Sequence, residues 1–269
     1  MALQCLTSAS KISRKKTRLG RHYAALHPVH YAGVKGHMEL VTKILDAWEP
    51  THRKSVDLGE LFSRDPIAHK WKCTYRVTVL RELVFWRTND TLRQMVILAS
   101  NGHILGARIL LRSALETIAT LVYLNIKMQA LMERKITLDE FREITSQLML
   151  GSKNESTQFS SINIVTIITK HCERRYEGIA EIYADLSESA HPNYDGVCSG
   201  YSYIDETAYV THFENRWMEK YGDSIEEQAL PILRIFENEY NDVFVDTFEN
   251  LERWLVSNDE ELEARNAAL

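Results

Sequence analysis

The chain has little with which to break a helix: five prolines and eleven glycines in 269 residues. Helical periodicity therefore dominates, and neither an internal repeat nor a dividing linker interrupts it. Four cysteines (Cys5, Cys73, Cys172 and Cys198) are scattered without a C-x-x-C pair. That argues against a disulfide framework or a zinc site and for a reducing compartment, so a cytoplasmic location is expected. No signal-peptide pattern is read at the start: the first cation is Lys11, and no long apolar region follows it. Glycine-rich nucleotide loops, a Walker lysine and a His-Glu-x-x-His pair are absent as well, Gly151-Ser-Lys153 being too short to count. No cofactor and no metal is expected. His22, His27, His30 and His37 cluster in a basic arm without a carboxylate or thiol among them.

Charge is unevenly placed. Residues 1–35 hold seven cations and no acid, whereas residues 205–265 hold 17 acids and five cations, a balance of −12. The first 35 residues are read as a basic, irregular N-terminal arm that is solvated, touches nucleic acid, or docks on acidic helices. Residues 36–269 are read as one helical bundle, giving an all-α fold with an N-terminal extension.

Within the bundle, residues 36–48 put Met38, Val41, Ile44, Leu45 and Trp48 on one face, and Pro50 stops the helix. Asp65-Pro66 is an N-cap with proline at the first helical position, opening a helix expected to reach Trp86. Thr88-Asn89-Asp90 reads as punctuation before a new helix at Thr91, and Asn101-Gly102 as a kink or division. Thr137 and Glu140 fit a capping box for a helix to Leu150. Residues 151–161 read as a loop, the β-branched stretch 162–168 as the start of a helix, and another helix as running to Ala190 before Pro192. Residues 193–202 read as a loop, residues 205–221 are ambiguous, and residues 224–257 form the last long helix despite Pro231.

The apolar stretch from Ile104 to Ile126 is long enough to span a bilayer. It carries Arg108, Arg112 and Glu116, which are costly in lipid, and apolar residues fall on all its sides. It is therefore read as a buried central helix, and no membrane partner is expected. Arg112 and Glu116 are four apart with arginine first, the weaker order for a helical pair. Two readings stand for them: a salt bridge clamping neighbouring helices, or an anion clamp built on the planar arginine fork. Arg108 lies one turn earlier on the same face.

A second polar stripe comes from Tyr183, Ser187 and His191, spaced by four. Pro192 places His191 at a helix C-terminus, where the dipole favours imidazolium and a general acid can form. Ser187 is placed to orient the ring, and Asn193 begins a loop able to face a substrate; simple C-capping and a plain turn are the alternatives.

Together the segments Leu110/Leu111-Arg112…Glu116 and Tyr183…Leu186-Ser187…His191 resemble an uncharacterised all-helical prokaryotic family, over residues 92–192 or so. That family is distantly similar to HEPN domains, helical modules of toxin–antitoxin and phage-defence systems. Many of those cleave RNA without metal through Arg-x(4–6)-His, at a dimer interface. The resemblance implies a metal-independent RNase or phosphate-ester enzyme. Arg112, Glu116, Ser187 and His191 would be its catalytic set, and Arg108, Tyr183 and Asn193 would contact substrate. It also implies RNA or a cognate antitoxin as partner, and a homodimer. The sequence departs from the HEPN motif at His191, which has no arginine five to seven residues before it; Arg21…His27 and Arg64…His69 have the spacing, a number of matches that chance supplies. The alternative is a non-catalytic helical module that binds a partner protein or nucleic acid, with the polar pair as a structural clamp.

Overall fold

The computed structural model describes residues 38–154 and 156–267; the basic arm, with its histidines and Arg21…His27, lies outside them. The described chain is all-α apart from one hairpin. In order it comprises α1 (Glu39–Trp48), α2 (Leu58–Arg64), α3 (Pro66–His69), α4 (Cys73–Ser100), α5 (Ile104–Met132) and α6 (Leu138–Leu150). Next comes α7, which begins over Ile164–Thr166, widens to a π-helix over Ile167–Cys172 and ends over Glu173–Arg175. Then follow α8 (Ile179–Ala190), a π-turn over Tyr194–Ser199, β1 (Ser202–Asp205), β2 (Val210–Phe213) and α9 (Trp217–Tyr221). The chain closes with α10 (Ile225–Glu237), a π-segment over Asn238–Val243, α11 (Phe244–Ser257) and α12 (Asp259–Ala267).

Local chemistry explains most boundaries. Asp65 Oδ1 accepts the Ile67 and Ala68 amides at 3.0 Å each, and Pro66 opens α3. Thr137 and Glu140 close the expected capping box. Asn101 and Gly102 (φ 76°) divide α4 from α5. Two expectations are corrected. The helix opened by Pro66 ends at His69, and α4 starts afresh after Lys72, whose φ is 59°. Thr88-Asn89-Asp90 interrupts nothing, because Thr88 and Asn89 are buried inside α4 and packing overrides their weak helix preference. The helices α7 and α8 are separated, as expected, at Gly178 with φ 91°, a left-handed position that suits glycine.

The helix α5 is the centre of the bundle, touching α4, α6, α7, α8, α10 and α11. It alone among the described residues is long and apolar enough to cross a membrane, but more than half of that apolar window is buried in protein. Polar groups pin it at its C-terminal half. Asn125 Nδ2 donates to Glu239 Oε2 at 2.7 Å and to the Glu239 carbonyl at 3.1 Å. That buried carboxylate also receives the Tyr176 hydroxyl at 2.5 Å and lies 2.7 Å from Arg175 Nε. Burial pushes the Glu239 carboxyl upward against these donors.

The helix α3 is tied to α11 through one carboxylate. Buried His69 places Nδ1 2.8 Å from Thr74 Oγ1 and Nε2 2.9 Å from Glu252 Oε1, which also takes Arg64. Burial holds the His69 pKa below its ordinary value of 6.5, with Glu252 opposing the shift. The unfolded chain therefore takes this proton first, so the neutral ring's contribution is complete above about pH 6.5 and is lost as pH falls below it. We expect urea-unfolding stability to decline from pH 7.5 to 5.5, and the slope to be shallower in His69→Gln; an unchanged slope would remove His69 from the account.

Candidate functional site

The helix α8 begins where Glu173 accepts the Gly178 and Ala180 amides at 2.9 and 2.8 Å. It buries Ile179, Tyr183, Leu186 and Ser189 at helical spacing. Pro192 ends it, leaving His191 extended (φ −101°, ψ 143°). The helix α8 runs antiparallel to α5, because Arg108 meets Asp185 and Ser189 while Glu116 meets Tyr183.

Arg108, not Arg112, is the wholly buried arginine, at 0 % exposure. Its Nε donates to Ser189 Oγ at 2.7 Å and Nη1 to Gln228 Oε1 at 2.8 Å. Nη2 reaches the Asp185 carbonyl at 3.0 Å and carboxylate at 2.9 Å. Gln228 donates to the same carboxylate at 2.9 Å, and the guanidinium sits 4.0 Å from the centre of the Tyr221 ring. Every nitrogen is satisfied by α8 and α10, so the donors are not available to a substrate.

Arg112 and Glu116 do pair, at 3.1 Å, with side chains 24 % and 28 % exposed. Tyr183 completes a triangle: its hydroxyl donates to Glu116 Oε1 at 2.9 Å and accepts Arg112 Nη2 at 3.1 Å. The pair is thus partly open to solvent and braced by α8.

The remaining expected site residues stand apart from this triangle. Ser187 Oγ donates to the Tyr183 carbonyl at 2.7 Å, a bond within its own helix. His191 is exposed, and no hydrogen bond or ion pair joins its ring to Arg112, Glu116 or Ser187 among the described residues. Eight residues of helix separate Tyr183 from His191, ~12 Å along the axis, with Arg108 in between. Asn193 shapes the turn: Oδ1 accepts the Gly196 amide at 3.0 Å and Nδ2 bonds Glu188. The His191 carbonyl lies where a side chain on residue 196 would sit, so the turn requires Gly196. Arg64 and His69 converge on Glu252, but His69 is buried, with Nδ1 bonded to Thr74 and Nε2 facing the Glu252 carboxylate.

Residues 202–213, read as loop and ambiguous chain, form a hairpin in which Ser202 faces Phe213 and Asp205 faces Val210. Asp205 Oδ1 accepts the Thr207 and Ala208 amides at 2.8 and 3.0 Å, an Asx turn that was a readable signal. Gly200 packs directly on the buried Trp217 ring, anchoring the hairpin base. Beyond it Tyr209 and Phe213 are 91 % and 83 % exposed. Ile204 and Phe213 lie on one face by register.

Comparison with known protein families, curated proteins and solved structures finds no match to this chain.

Removal of the buried cation should be costly. Arg108→Ala takes the donor from Gln228 Oε1 and Ser189 Oγ and leaves the Asp185 carboxylate with Gln228 but no cation, and we expect a loss of about 3 kcal/mol, the lower end of the usual range because Asp185 keeps some contact with water. Arg112→Ala should lose roughly 1 kcal/mol or less. Urea denaturation of the two variants side by side measures the ordering.

Proposed function

We propose that the protein is a non-catalytic helical module that binds a protein partner, with the hairpin β1–β2 as the partner-facing element. The observation that carries this reading is the occupancy of Arg108. Arg108, the one wholly buried arginine among the described residues, has its donors engaged by the fold, and Arg112 leans on Glu116 and Tyr183. Both behave as clamps between α5 and its neighbours. A ribonuclease built on Arg112 and His191 of one chain would need its substrate to bridge the two turns of α8 between them. The free buried thiols Cys73 and Cys172 fit a reducing, cytoplasmic setting.

The hairpin suits a protein. It is a two-stranded sheet with no third strand among the described residues; Arg216 takes the Ser202 carbonyl at the base of β1, and the β2 edge is where an extended segment can add. Its exposed aromatics supply apolar contact. Residues 195–220 carry five carboxylates and two cations, Arg216 at Glu219 and Lys220 at Asp195, and the excess of acid disfavours a phosphate backbone and favours a segment bearing Lys or Arg among apolar residues.

Selection of a random peptide library on the full chain tests this, followed by fluorescence titration of the enriched peptides. We expect enriched peptides to alternate basic and apolar residues, and Tyr209→Ser with Phe213→Ser to weaken binding at least ~10-fold. The absence of any hairpin-dependent peptide overturns the reading. So does RNA cleavage by the wild type that His191→Ala abolishes, which would establish the ribonuclease instead, or a hairpin variant whose sole effect is to turn a dimer into a monomer.

A further inference from the structure

We infer that the protein also binds a small phosphate monoester in a cavity at the N-terminal end of α4. This cavity, of about 540 Å³, lies between the start of α4, α6 and the loop at Phe159. That volume is in the range of small-molecule sites, about 300–1,000 Å³. Four cations line it against the carboxylates of Glu143 and Glu263.

These cations are not equivalent. Lys70 is paired with Asp259 at 2.7 Å and Glu263 at 2.5 Å, and Arg142 with Asp139 at 2.9 Å. Lys72 and Arg76 meet no carboxylate among the described residues. Arg76 is nevertheless held in place. Its Nη1 donates to the Arg142 carbonyl at 2.9 Å, Ser146 Oγ at 2.8 Å and Thr145 Oγ1 at 3.3 Å. All three acceptors are neutral, so they fix the guanidinium without cancelling its charge. Its Nε and Nη2 have no acceptor among the described residues, and these two nitrogens form the edge of the fork that grips an oxyanion bidentately.

The helix end adds to this. The 28-residue helix α4 has no capping side chain and no acid in its first turn. Its N-terminal end carries the positive pole of the dipole, and Lys72 and Arg76 place two further cations there. Like charges gathered at that pole favour an anion beside them. Cys73 does not supply the anion: burial pushes its thiol up to about 11. Phe159 contributes an apolar wall, and Glu143 an acceptor for a hydroxyl or amine. The fitting ligand is a phosphate monoester with a polar organic body, the chemistry shared by nucleotides and sugar phosphates.

Isothermal titration of the full chain with AMP, ribose 5-phosphate and inorganic phosphate, at constant ionic strength, tests the site and distinguishes the sources; adenosine serves as control. We expect at least one ester to bind and Arg76→Ala to weaken it roughly 10- to 100-fold. Arg76→Lys, which keeps the charge and loses the fork, should fall between. Lys72→Asn, at an exposed position where asparagine tolerates the left-handed backbone, should weaken binding several-fold without touching the fold. No heat from either ester at millimolar concentration overturns the proposal. So does binding that survives both Arg76→Ala and Lys72→Asn, or adenosine binding as well as AMP.

Discussion

A helix that is apolar on every side can slide and rotate among its neighbours at little cost, and α5 is such a helix. What fixes it are buried polar groups that admit one partner set each. Arg108 locks its first half to α8 and α10 through Ser189, Asp185 and Gln228. Asn125 locks its second half to the Glu239 carboxylate and backbone. Shifting α5 by one residue would strand a buried guanidinium and an amide without acceptors, a cost larger than any apolar repacking could offset. The rest of the bundle is arranged about that register.

The π-segment between α10 and α11 follows from the same constraint. Two carbonyls of the widened turn take donors from outside the helix: Glu239, which keeps the Phe244 amide, also accepts Asn125, and Tyr240 accepts Arg81 at 3.0 Å. Arg81 also lies 3.6 Å from the centre of the Tyr240 ring and pairs with the buried Glu82, which takes the Tyr240 hydroxyl at 2.8 Å. The local irregularity in one helix is thus stabilised by donors on α4 and α5 and turns Glu239 inward. Its neighbour α7 widens over Ile167–Cys172, just before the Arg175 and Tyr176 that reach the same carboxylate.

These couplings also explain what the sequence could and could not disclose. Caps and breaks written in adjacent residues, Asp65-Pro66, Thr137 with Glu140, and Asn101-Gly102, were legible because their physics is local. So was the Arg112–Glu116 pairing, which needs only a spacing of four. The Thr88-Asn89 stretch misled because burial, absent from local pattern, keeps it helical. The partners of Arg108 come from residues 77 to 120 positions away, so nothing local singled it out over Arg112. The hairpin had its Asx signal at Asp205 but no neighbouring strands to reinforce it.

Four arginines of α4 and α5 then differ in function by acceptor inventory alone. Arg108 is satisfied on all sides and is purely a clamp. Arg112 shares Glu116 with Tyr183 at the edge of solvent. Arg87 donates Nε to Thr117 at 3.0 Å and Nη2 to Ser113 at 3.2 Å, bracing α4 against α5. Arg76 is the one positioned through a single nitrogen by neutral acceptors, with its bidentate edge left open. A guanidinium that is rigid, charged and unneutralised beside an uncapped helix end is configured for an external anion. A guanidinium whose donors are all matched is configured for its own fold. On that criterion the proposed anion site falls at the first turn of α4, apart from the clamp that Arg108 forms between α5 and α8.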